Sequence, residues 1–96
     1  MILKTADELW AKHGNGAYSF KYVRLTGDRF RFATLGFFAP SHQQLAGDDK
    51  VVSAGFVSIE RDRVIKVRDG FSMTLKLGPM EGDQELIERF LAGNPA

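Results

Sequence analysis

Two neighbouring runs, AYSFKYVRL at 17–25 and RFRFATLGFF at 29–38, constrain this chain more than any other feature. Both are rich in aromatic and β-branched residues, and only Thr26-Gly27-Asp28 separates them. A turn through Gly27-Asp28 is of the type II′ kind, whose first position needs a positive φ, and it folds the two runs into an antiparallel hairpin. In that register Leu25 pairs with Phe30, Val23 with Phe32 and Lys21 with Thr34 on one face. Arg24 pairs with Arg31, Tyr22 with Ala33, Phe20 with Leu35 and Tyr18 with Phe37 on the other. Apolar residues fall on both faces, so the hairpin needs cover on both sides or a strongly coiled sheet. Arg24 opposite Arg31 is a like-charge pair that calls for an acid or an anion nearby.

The flanking segments supply that cover. Thr5 and Glu8 form a capping box, and Ala6, Leu9, Trp10 and His13 then line one helical face that Gly14 and Gly16 end. Ser41 and Gln44 repeat the pattern before a short helical turn closed by Gly47, with His42 at its first position. Residues 51–60, 63–67 and 71–77 read as a three-stranded meander. A loop of Arg61-Asp62-Arg63 pairs Ile59 with Ile65 and Val57 with Val67, keeping the buried face continuous. A second loop, Arg68-Asp69-Gly70, pairs Val67 with Phe71 and Ile65 with Met73, Gly70 taking the left-handed position. That puts Phe71, Met73, Leu75 and Leu77 inside, and Ser72, Thr74 and Lys76 outside, with Ser72 beside Lys66. A helix from Asp83 to Ala92 buries Leu86, Ile87, Phe90 and Leu91, and Gly93-Asn94-Pro95 stop it. The expected fold is one α+β domain over residues 1–96. It has about five antiparallel strands, rich in meander connections, an N-terminal and a C-terminal helix, and a short helical turn after the second strand.

Composition removes several kinds of chemistry. No cysteine is present, which excludes disulfides, thiolate metal sites and cysteine nucleophiles and fits a cytoplasmic setting. No apolar run approaches the ~18 residues of a membrane span, and MILKTADELW lacks the pattern of a secretory leader. GxxxxGK[ST], GxGxxG and HExxH are all absent, so no nucleotide or metal cofactor is expected. The two histidines fall on separate elements, and Asp48-Asp49 is a solvated loop, so no metal site is expected either. RFRF at 29–32 interleaves bases with aromatics, but Phe30 and Phe32 share a face with Val23 and Leu25; that is a core, and nucleic-acid binding is not expected. Residues 21–76 carry ten Lys/Arg against six Asp/Glu, which mildly favours an anionic partner for the sheet, Arg24 and Arg31 included. His13, near a helix C-terminus, makes a favourable dipole contact and packs its ring. His42, at a helix N-terminus, is kept neutral by the dipole and is available as a base or nucleophile.

The segments Phe20-Lys21-Tyr22-Val23 and Gly70-Phe71-Ser72-Met73, with Gly78-Pro79 after the latter, resemble motifs of the small Janus-type phosphohistidine phosphatases. Between them His42, Ala54-Gly55-Phe56 and Val64-Ile65-Lys66-Val67 follow the family's order, and the resemblance spans roughly residues 18 to 92. The chain departs from the family where Gly47 closes the helix early and where Arg68-Asp69-Gly70 interrupts the late strand; it also lacks a closing strand. The resemblance implies a metal-free phosphohydrolase. His42 would be its base or nucleophile, Lys21 a phosphate clamp, and Ser72 with the following amides the phosphate cradle, a sound arrangement for charge growing on phosphoryl oxygens. The residues themselves point first to a small soluble cytoplasmic binding or adaptor domain for a protein or a small anionic ligand, with Lys21, Ser72, Thr74, Arg24 and Arg31 as contacts, and the phosphohydrolase is the alternative. Whether the chain is an enzyme stays open at this point.

Overall fold

The structure, a computed structural model, describes residues 2–36 and 39–93. In chain order it has β1 (Ile2–Leu3), α1 (Ala6–His13), β2 (Tyr18–Leu25), β3 (Arg29–Thr34), α2 (His42–Ala46), β4 (Val51–Ile59), β5 (Ile65–Arg68) and α3 (Asp83–Leu91). One five-stranded antiparallel sheet, in the order β1-β3-β2-β4-β5, carries the three helices, an α+β architecture as expected. Thr5 caps α1, the Ser41–Gln44 box caps α2, and Gly14 and Gly47 end them at positive φ. The His13 ring clamps α1 to the sheet, its Nε2 lying 3.2 and 3.1 Å from the carbonyls of Ile59 and Glu60.

The β2–β3 hairpin differs from the expectation by one residue. Leu25 pairs with Arg29, Tyr22 with Phe32 and Lys21 with Ala33, because all three residues Thr26-Gly27-Asp28 form the loop. Gly27 and Asp28 both take positive φ there, 80° and 56°. A one-residue slip moves a strand's side chains to the opposite face. Here it gathers Phe20, Tyr22, Phe30 and Phe32 on one side, under α1 and α3, with Phe90 5.7 Å from Phe30. The smaller Val23, Leu25, Ala33 and Ala54 face the other side, under Leu45 and Ala46 of α2. Both faces are covered, but unequally: bulky rings lie beneath the two long helices, small residues beneath the single-turn one. Arg24 and Arg31 consequently fall on opposite faces and never meet. Arg24 pairs with Asp28 and Asp83, and Arg31 with Asp49. The expected strand through Phe38 ends at Thr34, while Phe37, Phe38, Asn94 and Pro95 lie outside the described residues.

The β4–β5 hairpin has the expected register, Ile59 with Ile65 and Val57 with Val67. Arg63 adopts φ 67° at the loop position where a glycine would be easiest. The third strand of the meander does not form. Residues 71–77 make only a single bridge, Ser72 with Leu77, around a tight loop. The Leu75 amide donates to the Ser72 hydroxyl (3.2 Å) and the Lys76 amide to the Ser72 carbonyl (2.7 Å), with Lys76 at φ 55°. A serine that offers the backbone such partners competes with a sheet ladder, and here it wins. The inside and outside rows are thereby corrected: Ser72 is buried at 1% exposure, while Phe71 (53%) and Met73 (82%) are exposed. Gly70 is not a left-handed turn residue either; it crosses the Phe56 ring, where an added Cβ would meet Cδ2 at 2.5 Å. The fifth strand is instead Ile2–Leu3, beside Ala33 and Phe32, too short to show in sequence. At the opposite edge the Val67 amide donates to the Gln84 side chain at 3.2 Å.

Asp83, the first residue of α3, is fully buried. Its carboxylate accepts from Tyr22 Oη (2.6 Å), Ser53 Oγ (2.8 Å), Arg24 Nη1 (3.2 Å) and the Met80 amide (2.9 Å). Burial and this neighbouring carboxylate push the Tyr22 phenol far above its ordinary pKa. Replacing Asp83 by Ala would leave the buried Tyr22 and Ser53 hydroxyls without their acceptor and Arg24 with Asp28 alone, and we expect a loss of about 3–5 kcal/mol in urea unfolding. Tyr22→Phe, which removes one donor from a still-satisfied acceptor, should lose about 1 kcal/mol.

Candidate functional site

Lys21 of β2 and Phe56 of β4 are direct cross-strand partners on the thinly covered face of the sheet. The capping box of α2 brings His42 onto the same spot, its ring edge-on to Phe56 with 5.1 Å between centroids. His42 Nε2 lies 2.9 Å from the Gly55 carbonyl. A carbonyl only accepts, so Nε2 carries the proton and Nδ1 holds the lone pair of the neutral ring. Burial lowers the His42 pKa below the ordinary imidazole value; the Gly55 bond opposes this and the Lys21 charge adds to it. The neutral ring is thus expected from sequence, but its first cause is burial, not the helix dipole.

The Lys21 ammonium donates to the Pro40 carbonyl at 2.9 Å, which fixes the end of its chain beside α2. Lys21, Ser41, His42 and Thr74 line a shallow cavity of about 260 Å³ whose apolar walls are Leu35, Phe56, Phe71 and Met73. The 71–77 loop builds the outer wall because its Ser72-centred turn points Phe71, Met73 and Thr74 outward. Ser72 itself is not part of the lining; its hydroxyl faces its own loop, 3.3 Å from Thr74 Oγ1.

Of the residues singled out in the sequence, the fold therefore brings together Lys21, His42 and Thr74. Ser72 stands behind Thr74 as its support. Arg31 is committed to the end of α2, donating to the Leu45 and Ala46 carbonyls (3.2 and 2.9 Å) and to Asp49, whose carboxyl its hydrogen bond holds below the usual range. Arg24 is committed to Asp28 and Asp83 on the far face. Sequence reasoning missed the apolar walls, since alternation in 71–77 assigned Phe71 and Met73 to a core. Among the described residues no group of three or more His, Cys, Asp or Glu is placed to hold a metal ion. No helix among them is long and apolar enough to cross a membrane.

Two outcomes follow from this geometry. Gly70→Ala sets a Cβ 2.5 Å from Cδ2 of the Phe56 ring, on which His42 packs edge-on, and we expect a loss of about 1–3 kcal/mol in thermal or urea unfolding together with a moved His42 imidazole resonance. The second concerns pH. A histidine whose folded pKa lies below its unfolded value of ~6.5 binds fewer protons when folded, so stability falls as pH drops below that value. Asp49, depressed below its unfolded value of ~3.9, has its stabilising contribution present above that pH and lost as pH falls further. Unfolding midpoints between pH 7.5 and 5 should therefore decline in the native chain and flatten in His42→Gln, with the Asp49 decline confined to more acidic solutions. Comparison with protein-family models, curated proteins and solved structures finds no match to this chain.

Proposed function

We propose that the chain is a small binding domain that seats an anionic group between Lys21 and Thr74, beside neutral His42, with the apolar walls holding the body that carries it. The observation behind this reading is the convergence of Lys21, His42 and Thr74 on one cavity rimmed by exposed Phe71 and Met73. Few polar groups at fixed positions within apolar walls is the usual make-up of a ligand site, and exposed clustered apolar side chains mark contact surfaces. At about 260 Å³ the cavity suits a small anion or one anionic side chain of a protein partner.

A second reading is favoured by one specific observation: His42, its Nε2 tied to the Gly55 carbonyl, lines the same cavity as Lys21. In it the domain is a metal-free phosphohydrolase, in line with the resemblance to Janus-type phosphohistidine phosphatases. His42 acts as base or nucleophile, Lys21 clamps the phosphoryl oxygens, and Thr74, backed by Ser72, supplies the hydroxyl cradle.

Titration with inorganic phosphate, followed by amide shifts, tests both. The binding reading expects saturable movement at residues 21, 42 and 70–76, and Lys21→Ala should weaken it about tenfold through loss of a charge-assisted hydrogen bond. Turnover of a phosphohistidine peptide without metal, abolished in His42→Ala, would establish the second reading over the first. No movement at these residues overturns both.

A further inference from the structure

A second cavity, about 760 Å³, lies on the opposite side of the molecule from His42 and plays no part in the site above. It is a groove between α1, α3 and the turn that leads into β5. Trp10 and Leu91 form its floor, and the indole Nε1 donates to the Leu91 carbonyl at 2.8 Å, which fixes the ring plane. Exposed Val64 makes an apolar lip. Asp7 of α1 and Glu88 of α3 stand along the walls, and among the described residues neither is in an ion pair.

A cation already sits in this groove. The Arg63 guanidinium carbon lies 4.5 Å from the centroid of the Trp10 ring. Arg63 comes from the tip of an exposed turn at φ 67°, is not paired with an acid among the described residues, and contacts the ring from the solvent side. The face of an indole attracts cations, most strongly guanidinium, and an exposed contact of this kind shifts an equilibrium only about two- to fivefold. The ring face is thus open to exchange. The charge on the groove walls is mainly acidic: Asp7 of α1 and Glu88 of α3 outnumber the one cation among the lining residues, Arg63 itself. An apolar floor, an aromatic ring face and unpaired carboxylates together match a positively charged head on an apolar stem.

We propose that this groove binds a short basic segment of a partner protein, an arginine or lysine side chain lying on Trp10 in the seat that Arg63 occupies, with its head between Asp7 and Glu88. Arg63 is the internal stand-in that this side chain displaces. The volume exceeds a single side chain, so the neighbouring residues of the segment cover Val64 and Leu91.

Trp10 is the chain's one tryptophan, so its emission reports the groove directly. The experiment titrates the full chain with acetyl-Ala-Arg-Ala-amide and, as a neutral control, with the citrulline peptide of the same shape. The expected result is a saturable change in Trp10 emission with the arginine peptide, weakened by added salt and absent or much weaker with citrulline. Arg63→Gly, which suits the positive φ of that turn, should tighten binding about two- to fivefold by removing the competitor. Asp7→Asn combined with Glu88→Gln should weaken it about fivefold or more, and Lys21→Ala should leave it unchanged, which separates this groove from the phosphate cavity. Equal response to arginine and citrulline overturns the proposal. So does weaker binding in Arg63→Gly, or no response in either the native chain or Arg63→Gly.

Discussion

A single buried carboxylate holds the parts of this protein in place. Asp83 is at once the first residue of α3, the acceptor for Tyr22 on β2 and Ser53 on β4, and the counter-ion of Arg24. An isolated carboxylate at this depth would protonate or take up water. Four donors converging from two strands, a turn and a guanidinium satisfy it where it lies. The start of α3, strands β2 and β4 and the turn at Met80 are therefore tied together at one residue. Gly55, directly across from Tyr22, completes the arrangement, since a Cβ there would come within 3.1 Å of the phenol ring.

The unequal faces of the sheet explain where a ligand can go. On the aromatic side α1 and α3 fill the space over Phe20, Tyr22, Phe30 and Phe32, and the groove on that side lies at the margin, where Trp10 and Arg63 meet. On the other side five helical residues and a tight loop must cover the rest of the sheet. They cover Val23, Leu25, Ala33 and Ala54 and stop short of Lys21. The cavity beside His42 is the place where that short cover ends.

The helices were legible because their signals are local. Thr5, Ser41–Gln44 and the glycines after them act within a turn or two; Ser41–Gln44 forms the full box, while at α1 Thr5 accepts the Glu8 amide and Glu8 takes the Thr5 hydroxyl instead of its amide. The β4–β5 register was legible because only one pairing keeps Val57, Ile59, Ile65 and Val67 together. The β2–β3 register was not, because both faces are apolar and either pairing looks buried; the choice falls to the separation of large rings from small side chains, a tertiary property. Residues 71–77 alternate as a strand should, yet Ser72 and Lys76 bend them into a loop, and alternation carries no trace of that competition. In the site, Lys21 and His42 stood out by chemistry alone. Arg24 and Arg31 did too, but beyond the local Asp28 their acids, Asp83 and Asp49, lie far along the chain and only the fold assigns them. Asp83 looked like an ordinary helix-opening acid for the same reason.

The bond from Val67 to Gln84 bears on how copies of this chain meet one another. A sheet edge displays a row of unsatisfied amides and carbonyls that another strand can take up, and β5 is such an edge. Gln84 occupies the Val67 amide at that edge, and at the far side β1 offers only two residues. Neither border leaves a long flat template, so the sheet ends with its own five strands and resists growth by strand addition into larger aggregates.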